Sequence, residues 1–235
     1  MTNKLLDKLL YSDYKNNWDD LLFREKILSR IEKDSVCLDI GAGAGIVSAM
    51  NFRGEARSIV GLDLDERVAS NPFLDEAFVG SAEALPFENE KFDLVFSDNV
   101  MEHLENPSKV MREVWRVLKP GGVFIFKTPN VYHYMPTIAR MTSHSVHQWI
   151  NKKRGRESCD TFPTRYLCNN RSTIARMAED SELELEAIEF YEGRPEYLRF
   201  NFFTYLIGAL YERIVNSSHL LEQLRIVLIA TLVKK

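Results

Sequence analysis

The sequence predicts an α/β fold, a mostly parallel sheet with helices on both faces, and three observations lead to it. Short apolar runs that read as buried strands recur through the first half of the chain, among them 36–40, 58–63, 76–80, 91–97 and 123–126. Stretches with helical spacing of apolar residues lie between them. The first strand ends on a glycine-rich loop, the place where open α/β sheets hold ligands. Alternation of this kind makes the crossovers right-handed and the sheet doubly wound.

The loop reads Asp39-Ile40-Gly41-Ala42-Gly43-Ala44-Gly45. A strand stopping on such a loop leaves backbone N–H groups facing a crevice, and the missing Cβ atoms let a ligand come close. The dinucleotide fingerprint of an NAD-type oxidoreductase is G-x-G-x-x-G. Here the spacing is G-x-G-x-G, with Asp39 two residues ahead of the first glycine.

At 235 residues the chain has room for one α/β domain plus a cap or insertion. A net charge of −4 gives no footprint for nucleic acid, which favours a basic domain. Cys37, Cys159 and Cys168 are odd in number and lack C-x-x-C spacing, which speaks against a disulfide framework or structural zinc and fits a reducing cytoplasm. The N-terminus, with Asp7 and Asp13, lacks the apolar core of a secretory signal, and no apolar run reaches bilayer-spanning length.

In order, residues 1–33 read as helical, with one stripe of Leu5, Leu6, Leu9 and Leu10 and a second that includes Trp18, Leu21 and Leu22. On the residues alone they read as helices packing on the sheet edge. Residues 46–52 are expected to form the first core helix. The second strand, 58–63, ends on Asp63, and Asp65 is placed to cap the next helix. After the strands at 76–80 and 91–97 comes a helix from Pro107 to Leu118, which Lys119-Pro120-Gly121-Gly122 should stop and turn into the fifth strand. Arg171 to Asp180 reads as a helix capped by Asn170 or Asn169. Leu183 to Tyr191 and Leu224 to Leu232 read as strands.

Four segments together resemble class I S-adenosylmethionine-dependent methyltransferases of the ubiquinone-biosynthesis type. They are the acid-x-Gly-x-Gly-x-Gly loop, Gly80-Ser81-Ala82-Glu83-Ala84-Leu85-Pro86-Phe87, Glu102-His103-Leu104, and Leu118-Lys119-Pro120-Gly121-Gly122. The match is close over the first half and looser beyond. The resemblance implies a Rossmann-like, seven-stranded, mostly parallel sheet with an antiparallel last strand, a helical N-terminal cap and insertions in the C-terminal half. It implies one domain over 1–235: a cap at 1–34, a cofactor-binding core at 35–130, a lid or substrate insertion at 131–168, and the rest of the sheet at 169–235 with an apolar helical insertion at 197–215.

The cofactor implied is S-adenosyl-L-methionine. The matching positions are Asp39, Gly41, Gly43, Gly45, Asp63, Leu64, Ser81, Ala82, Glu83 and Asp98. Asp63 lies about 20 residues beyond the loop, where a carboxylate can accept from both ribose hydroxyls. Ser81 stands where the family has an acid, and a hydroxyl accepts from the adenine amino group less strongly. An Asn-Pro-Pro-Tyr stretch, which marks methylation of base or glutamine amino groups, is absent.

The candidate bases are His103 after the fourth strand and His133 after the fifth; a hydroxyl acceptor benefits from one. Asp98 and Asn99 do not make a ligand cluster, so no metal is expected. The leading reading is methyl transfer to a small-molecule or glycan- or lipid-linked acceptor, with O-methylation preferred. The alternatives are a non-catalytic S-adenosylmethionine-binding subunit and an NAD-dependent oxidoreductase. The insertion carries His144, His147, Trp149 and the basic run 152–156, either a solvated face or a site for an anionic substrate. The apolar stretch 197–215 reads as a buried helix or homodimer face, with peripheral membrane contact as the alternative.

Overall fold

A computed structural model describes residues 2–12, 14, 17–141 and 163–235. His144, His147, Trp149, Cys159 and the basic run 152–156 lie outside the described residues. Seven strands form one mixed sheet in the order β3-β2-β1-β4-β5-β7-β6, antiparallel at its last strand. They are β1 (Val36–Ile40), β2 (Ser58–Asp63), β3 (Glu76–Val79), β4 (Phe92–Asp98), β5 (Leu118–Pro129), β6 (Leu183–Tyr191) and β7 (Val227–Lys234). The pairs β1–β2, β1–β4, β2–β3 and β4–β5 are parallel, with Ile40 beside both Leu62 and Ser97. That register brings the ends of β1, β2 and β4 to one edge of the sheet.

The described residues fall into two compact units. The larger holds residues 19–128, 164–189 and 229–235. Its core strands are Val, Ile, Leu and Phe on both faces, as covered parallel strands require. Phe78, Phe87 and Phe92 stack edge to face at 5.0 and 5.1 Å, and Phe52 meets Phe96 at 5.1 Å. Helix α3 (Pro107–Val117) starts with proline in its first turn and buries Val110, Met111, Val114 and Val117. Further along lies α5 (Arg171–Glu179), where the Asn170 side chain accepts from the Thr173 amide, the cap expected there.

The smaller unit holds residues 1–18, 129–163 and 190–228. Within it α1 (Thr2–Leu10) packs on α6 (Phe202–Asn216) through Leu6, Tyr205 and Ala209. Asp7 accepts from the Tyr205 hydroxyl at 2.7 Å and from Arg199 at 2.5 Å, and the Tyr11 hydroxyl donates to Glu212 at 3.0 Å. Among the described residues the other helices are α2 (Trp18–Leu28) and α4 (Tyr134–Met141).

Four expectations are corrected. The helix expected over 46–52 is a single 3-10 turn, Ser48–Met50. Val47 is extended, and the Asn51 side chain accepts from the Arg53 amide, so the chain turns before a helix can propagate. Lys119-Pro120-Gly121-Gly122 does not precede the fifth strand but lies within it. Phe92 pairs with Leu118 and Leu94 with Val123, so the segment bulges out of β5, with Gly121 at φ +79°. The last strand begins at Val227, because His219–Leu224 is a 3-10 turn. The helix in the apolar stretch starts at Phe202, and it is buried on one side only: Phe203 and Ile207 are exposed. The Asp65 cap holds, since its side chain accepts from the Arg67 amide and heads the 3-10 turn Glu66–Ser70.

Candidate active site

The three loop glycines have different reasons to be glycine. All have positive φ, +83°, +51° and +73° at Gly41, Gly43 and Gly45. A Cβ on Gly41 would meet Val100 Cγ2 at 2.2 Å, and one on Gly45 would meet Asn71 Oδ1 at 2.4 Å. These two are set by packing. A Cβ on Gly43 would meet nothing nearer than Asp63 Oδ2 at 4.0 Å, which leaves this position open to a ligand.

Asp63, at the end of β2, grips the loop directly. One oxygen accepts from the Gly43 amide at 2.8 Å and the other from the Asp65 amide at 2.8 Å. Each oxygen keeps a second lone pair for a further donor. Leu64 is next along the chain, 70% exposed. Sequence reasoning missed Asn71, whose Nδ2 donates to the carbonyls of Ala42 and Gly43 while its Oδ1 accepts from the Phe73 amide. The Asn71-Pro72 dipeptide was its sequence signal, a turn initiator.

The segment 81–87 is held from α3. Arg116 donates to the carbonyls of Leu85 and Phe87, and Glu113 accepts from the Leu85 amide. Ser81 Oγ accepts from the Glu83 amide at 3.2 Å, so the hydroxyl in place of the family's acid closes a local turn. Ala82 is buried, and the Glu83 carboxylate stands 4.0 Å from the Lys109 ammonium.

Below the loop lies a set of buried charges. Burial drives the Asp39 carboxyl well above the usual carboxylate range, and the nearby Asp98 and Asp63 add to the shift. Asp98 is pushed up to about 6 by burial, with Asp20 and Asp19 adding to it and Lys127 opposing. Lys127 itself was not anticipated. It is fully buried at the end of β5, and its ammonium lies 3.1, 2.6 and 3.0 Å from carboxylate oxygens of Asp19, Asp20 and Asp98. Burial alone would lower its pKa, but the three carboxylates outweigh it and raise it. Asn99 sits between these groups at φ +53°, its amide donating to the Lys127 carbonyl, a backbone state that ordinary residues adopt at a cost.

The turn after β4 carries His103. Its amide bonds to the Val100 carbonyl, and Val100 is the side chain that fills the space beside Gly41, so this turn backs onto the glycine loop. Its Nε2 stands 3.8 Å from Glu102 Oε1. Glu102 is buried and accepts from the Thr128 hydroxyl at 2.9 Å, while Asn169 Nδ2 donates to the same hydroxyl at 2.7 Å. Burial raises the Glu102 carboxyl to about 7, although its hydrogen bonds work the other way.

His133 belongs to the smaller unit. It is fully buried, its Nδ1 accepts from the Met135 amide at 3.2 Å, and its Nε2 faces Glu192 Oε2 at 3.3 Å without the alignment of a hydrogen bond. The two candidate histidines are therefore not brought together by any described contact. Among the described residues no group of three His, Cys, Asp or Glu side chains could hold a metal ion.

Residues 38–126 match the family model for a methyltransferase domain, the stretch that contains the glycine loop, Asp63, the 81–87 segment and His103. Residues 38–126 form a class I S-adenosylmethionine-dependent methyltransferase domain. S-adenosylmethionine is the cofactor of that domain, which sets aside the NAD reading. Over 103 residues the chain is 38% identical to a ubiquinone biosynthesis O-methyltransferase of Pseudomonas putida, covering 40% of this chain and 44% of that one. It is 35% identical over 104 residues to a probable S-adenosylmethionine-dependent methyltransferase of Mycolicibacterium smegmatis, covering 42% and 40%. The chain spans less than half the length of the curated relatives it matches. Its fold is shared with phosphoethanolamine N-methyltransferase 2 of Haemonchus contortus, solved with S-adenosyl-L-methionine. That match has a TM-score of 0.56 at 18% identity and covers 100% of this chain and 60% of that one.

Proposed function

We propose that this chain transfers the methyl group of S-adenosylmethionine to an oxygen of a small-molecule or glycan- or lipid-linked acceptor, with His103 as the base. The observation that carries the reading is the placement of the His103 turn against the glycine loop through Val100, which gives a proton acceptor and the cofactor loop one sheet edge. Free, buried Cys37 and Cys168 fit a reducing compartment, and the cytoplasm is the location we assign. Among the described residues no helix is long and apolar enough to cross a membrane.

The residues present suit the cofactor. Gly43 offers an open backbone approach, and Asp63 has lone pairs for two ribose hydroxyls. Leu64 offers an exposed apolar surface to the adenine, and it follows Asp63, whose carbonyl accepts from the Gly80 amide just ahead of Ser81, Ala82 and Glu83. The cationic methionine portion suits the carboxyls of Asp39 and Asp98, whose ionised forms a nearby cation would favour. When bound, the cofactor supplies an electrophilic methyl on a sulfonium. The protein's part is to orient the acceptor oxygen, exclude water and accept its proton at His103. Ionised Glu102, held by Thr128 and Asn169, favours the protonated imidazole as the proton arrives. His133, packed inside the smaller unit, takes no part.

Thermal unfolding with S-adenosylmethionine, S-adenosylhomocysteine and NAD is the first experiment, followed by an acceptor screen with isoprenoid phenols and sugar nucleotides. Stabilisation by the first two ligands and turnover on a hydroxyl acceptor that His103→Ala removes would support the proposal. Cofactor binding with no turnover on any acceptor would favour a non-catalytic subunit. Turnover untouched by His103→Ala would take the base out of the mechanism.

A further inference from the structure

Helix α6 turns only one side toward its unit. Tyr205, Gly208, Ala209, Glu212 and Val215 are buried, while Phe203, Ile207, Leu210 and Ile214 are 74, 63, 61 and 49% exposed. Their i, i+4, i+7, i+11 spacing puts these four in one outward row. On α1, Leu6 packs inward on Tyr205 and Ala209, leaving Leu5 and Leu9 58 and 69% exposed. Arg213 reaches the Leu10 carbonyl, and Ala209 touches Leu6, which sets α1 along the flank of α6 bordering Leu206 and Leu210. The two apolar rows adjoin. Six such side chains expose on the order of 600 Å², at the top of the range for patches on soluble monomers.

The exposed charges on these two helices have one sign. On α1 and α6 the exposed charged residues are Lys4, Lys8 and Arg213, the last of them paired with Glu212 at 3.2 Å, whereas Asp7 and Glu212 turn inward to accept from Tyr205 and Tyr11. This basic rim stands out in a chain of net charge −4. A two-fold dimer through this face would set the rim against itself. An anionic surface matches both the rim and the apolar rows.

We propose that the outward faces of α1 and α6 dock on the surface of an anionic phospholipid bilayer. Phe203, Ile207, Leu210, Leu5 and Leu9 enter the acyl boundary, and Lys4, Lys8 and Arg213 meet the headgroups. Attachment is peripheral, since α6 has 15 residues. The inference concerns attachment and does not depend on which acceptor is methylated.

The test is flotation of the full chain with vesicles of phosphatidylcholine alone or mixed with phosphatidylglycerol, beside sedimentation without lipid. The expected result is co-flotation with the mixed vesicles, reduced by salt and by about fivefold for each of Lys4→Gln and Lys8→Gln. Phe203→Ser/Ile207→Ser/Leu210→Ser abolishes it while leaving the unfolding midpoint and the cofactor-induced shift in place, because these side chains are exposed. No flotation with either vesicle overturns the proposal, as does flotation that the triple variant retains. A dimer that the triple variant dissociates would give the face to a second copy and also overturn it.

Discussion

His103 and His133 each stand beside a glutamate, at 3.8 Å and 3.3 Å, in surroundings that give the two pairs different uses. The His103 side chain is 28% exposed, and only its partner is buried. His133 and Glu192 are both buried, the ring lies 4.0 Å from that of Tyr134 and 5.4 Å from that of Tyr211, and Glu192 also accepts from the Ile226 amide. The Met135 amide occupies Nδ1 of His133, and Nε2 faces Glu192 without the alignment of a hydrogen bond. A histidine near a carboxylate is therefore not by itself a catalyst. Accessibility of the ring separates a proton carrier from a packing element.

His133→Ala should produce the largest loss. It opens a cavity beside Tyr134, Tyr211 and Glu192, costing about 2–5 kcal/mol in denaturant unfolding, while the protein that remains folded binds cofactor normally. His103→Ala should do the reverse, lowering turnover by about 10²–10⁴-fold and stability by less than about 1 kcal/mol. If the two variants exchange these phenotypes, the comparison is inverted. On the cofactor side, Asp63→Ala should weaken S-adenosylmethionine binding by about 1–3 kcal/mol in titration calorimetry, since ribose hydroxyls lose their acceptor. Unchanged affinity would move the ribose site elsewhere.

The smallest effect concerns Glu102 and pH. Glu102 has its carboxyl raised to about 7 from an ordinary 4.5, so the folded state binds more protons than the unfolded chain between those values. This group's contribution to stability then falls as pH rises through that window and is fully unfavourable above about 7. Glu102→Gln should accordingly be more stable than the parent at pH 8, by about 1–3 kcal/mol, with the gap closing as pH drops toward 4.5. A melting series at several pH values reads this directly, and a constant gap would contradict it. Turnover of the parent should decline below about pH 7, as Glu102 takes up its proton and no longer favours protonated His103.

Strands β1 to β4 and the helix at 107–117 were legible because their apolar runs and glycine or proline punctuation are local signals. The loop and Asp63 were legible for the same reason. The helix expected at 46–52 was misread because Ile46 and Val47 look like core residues, yet Gly45 at φ +73° against Asn71 sends the chain elsewhere. Lys127 could not be read at all. A lysine at a strand end looks solvated until two acids of α2 and one at the end of β4 are brought to it by tertiary structure. The burial of His133 depends in the same way on Glu192 and Tyr211, some 60 and 80 residues away in sequence.

The position of β7 between β5 and β6 sets an order of events during synthesis. Strands β1 to β5 can assemble from consecutive chain. Strand β6 emerges next but has no neighbour until residues 227–234 are available to slot in beside it. On a ribosome, β6 therefore waits with unpaired edges for one more stretch of translation, exposed to chaperones and to misassembly. Completion of this sheet is a late, long-range step, and nascent chains halted before residue 227 should be protease-sensitive at β6 while β1–β5 are already protected.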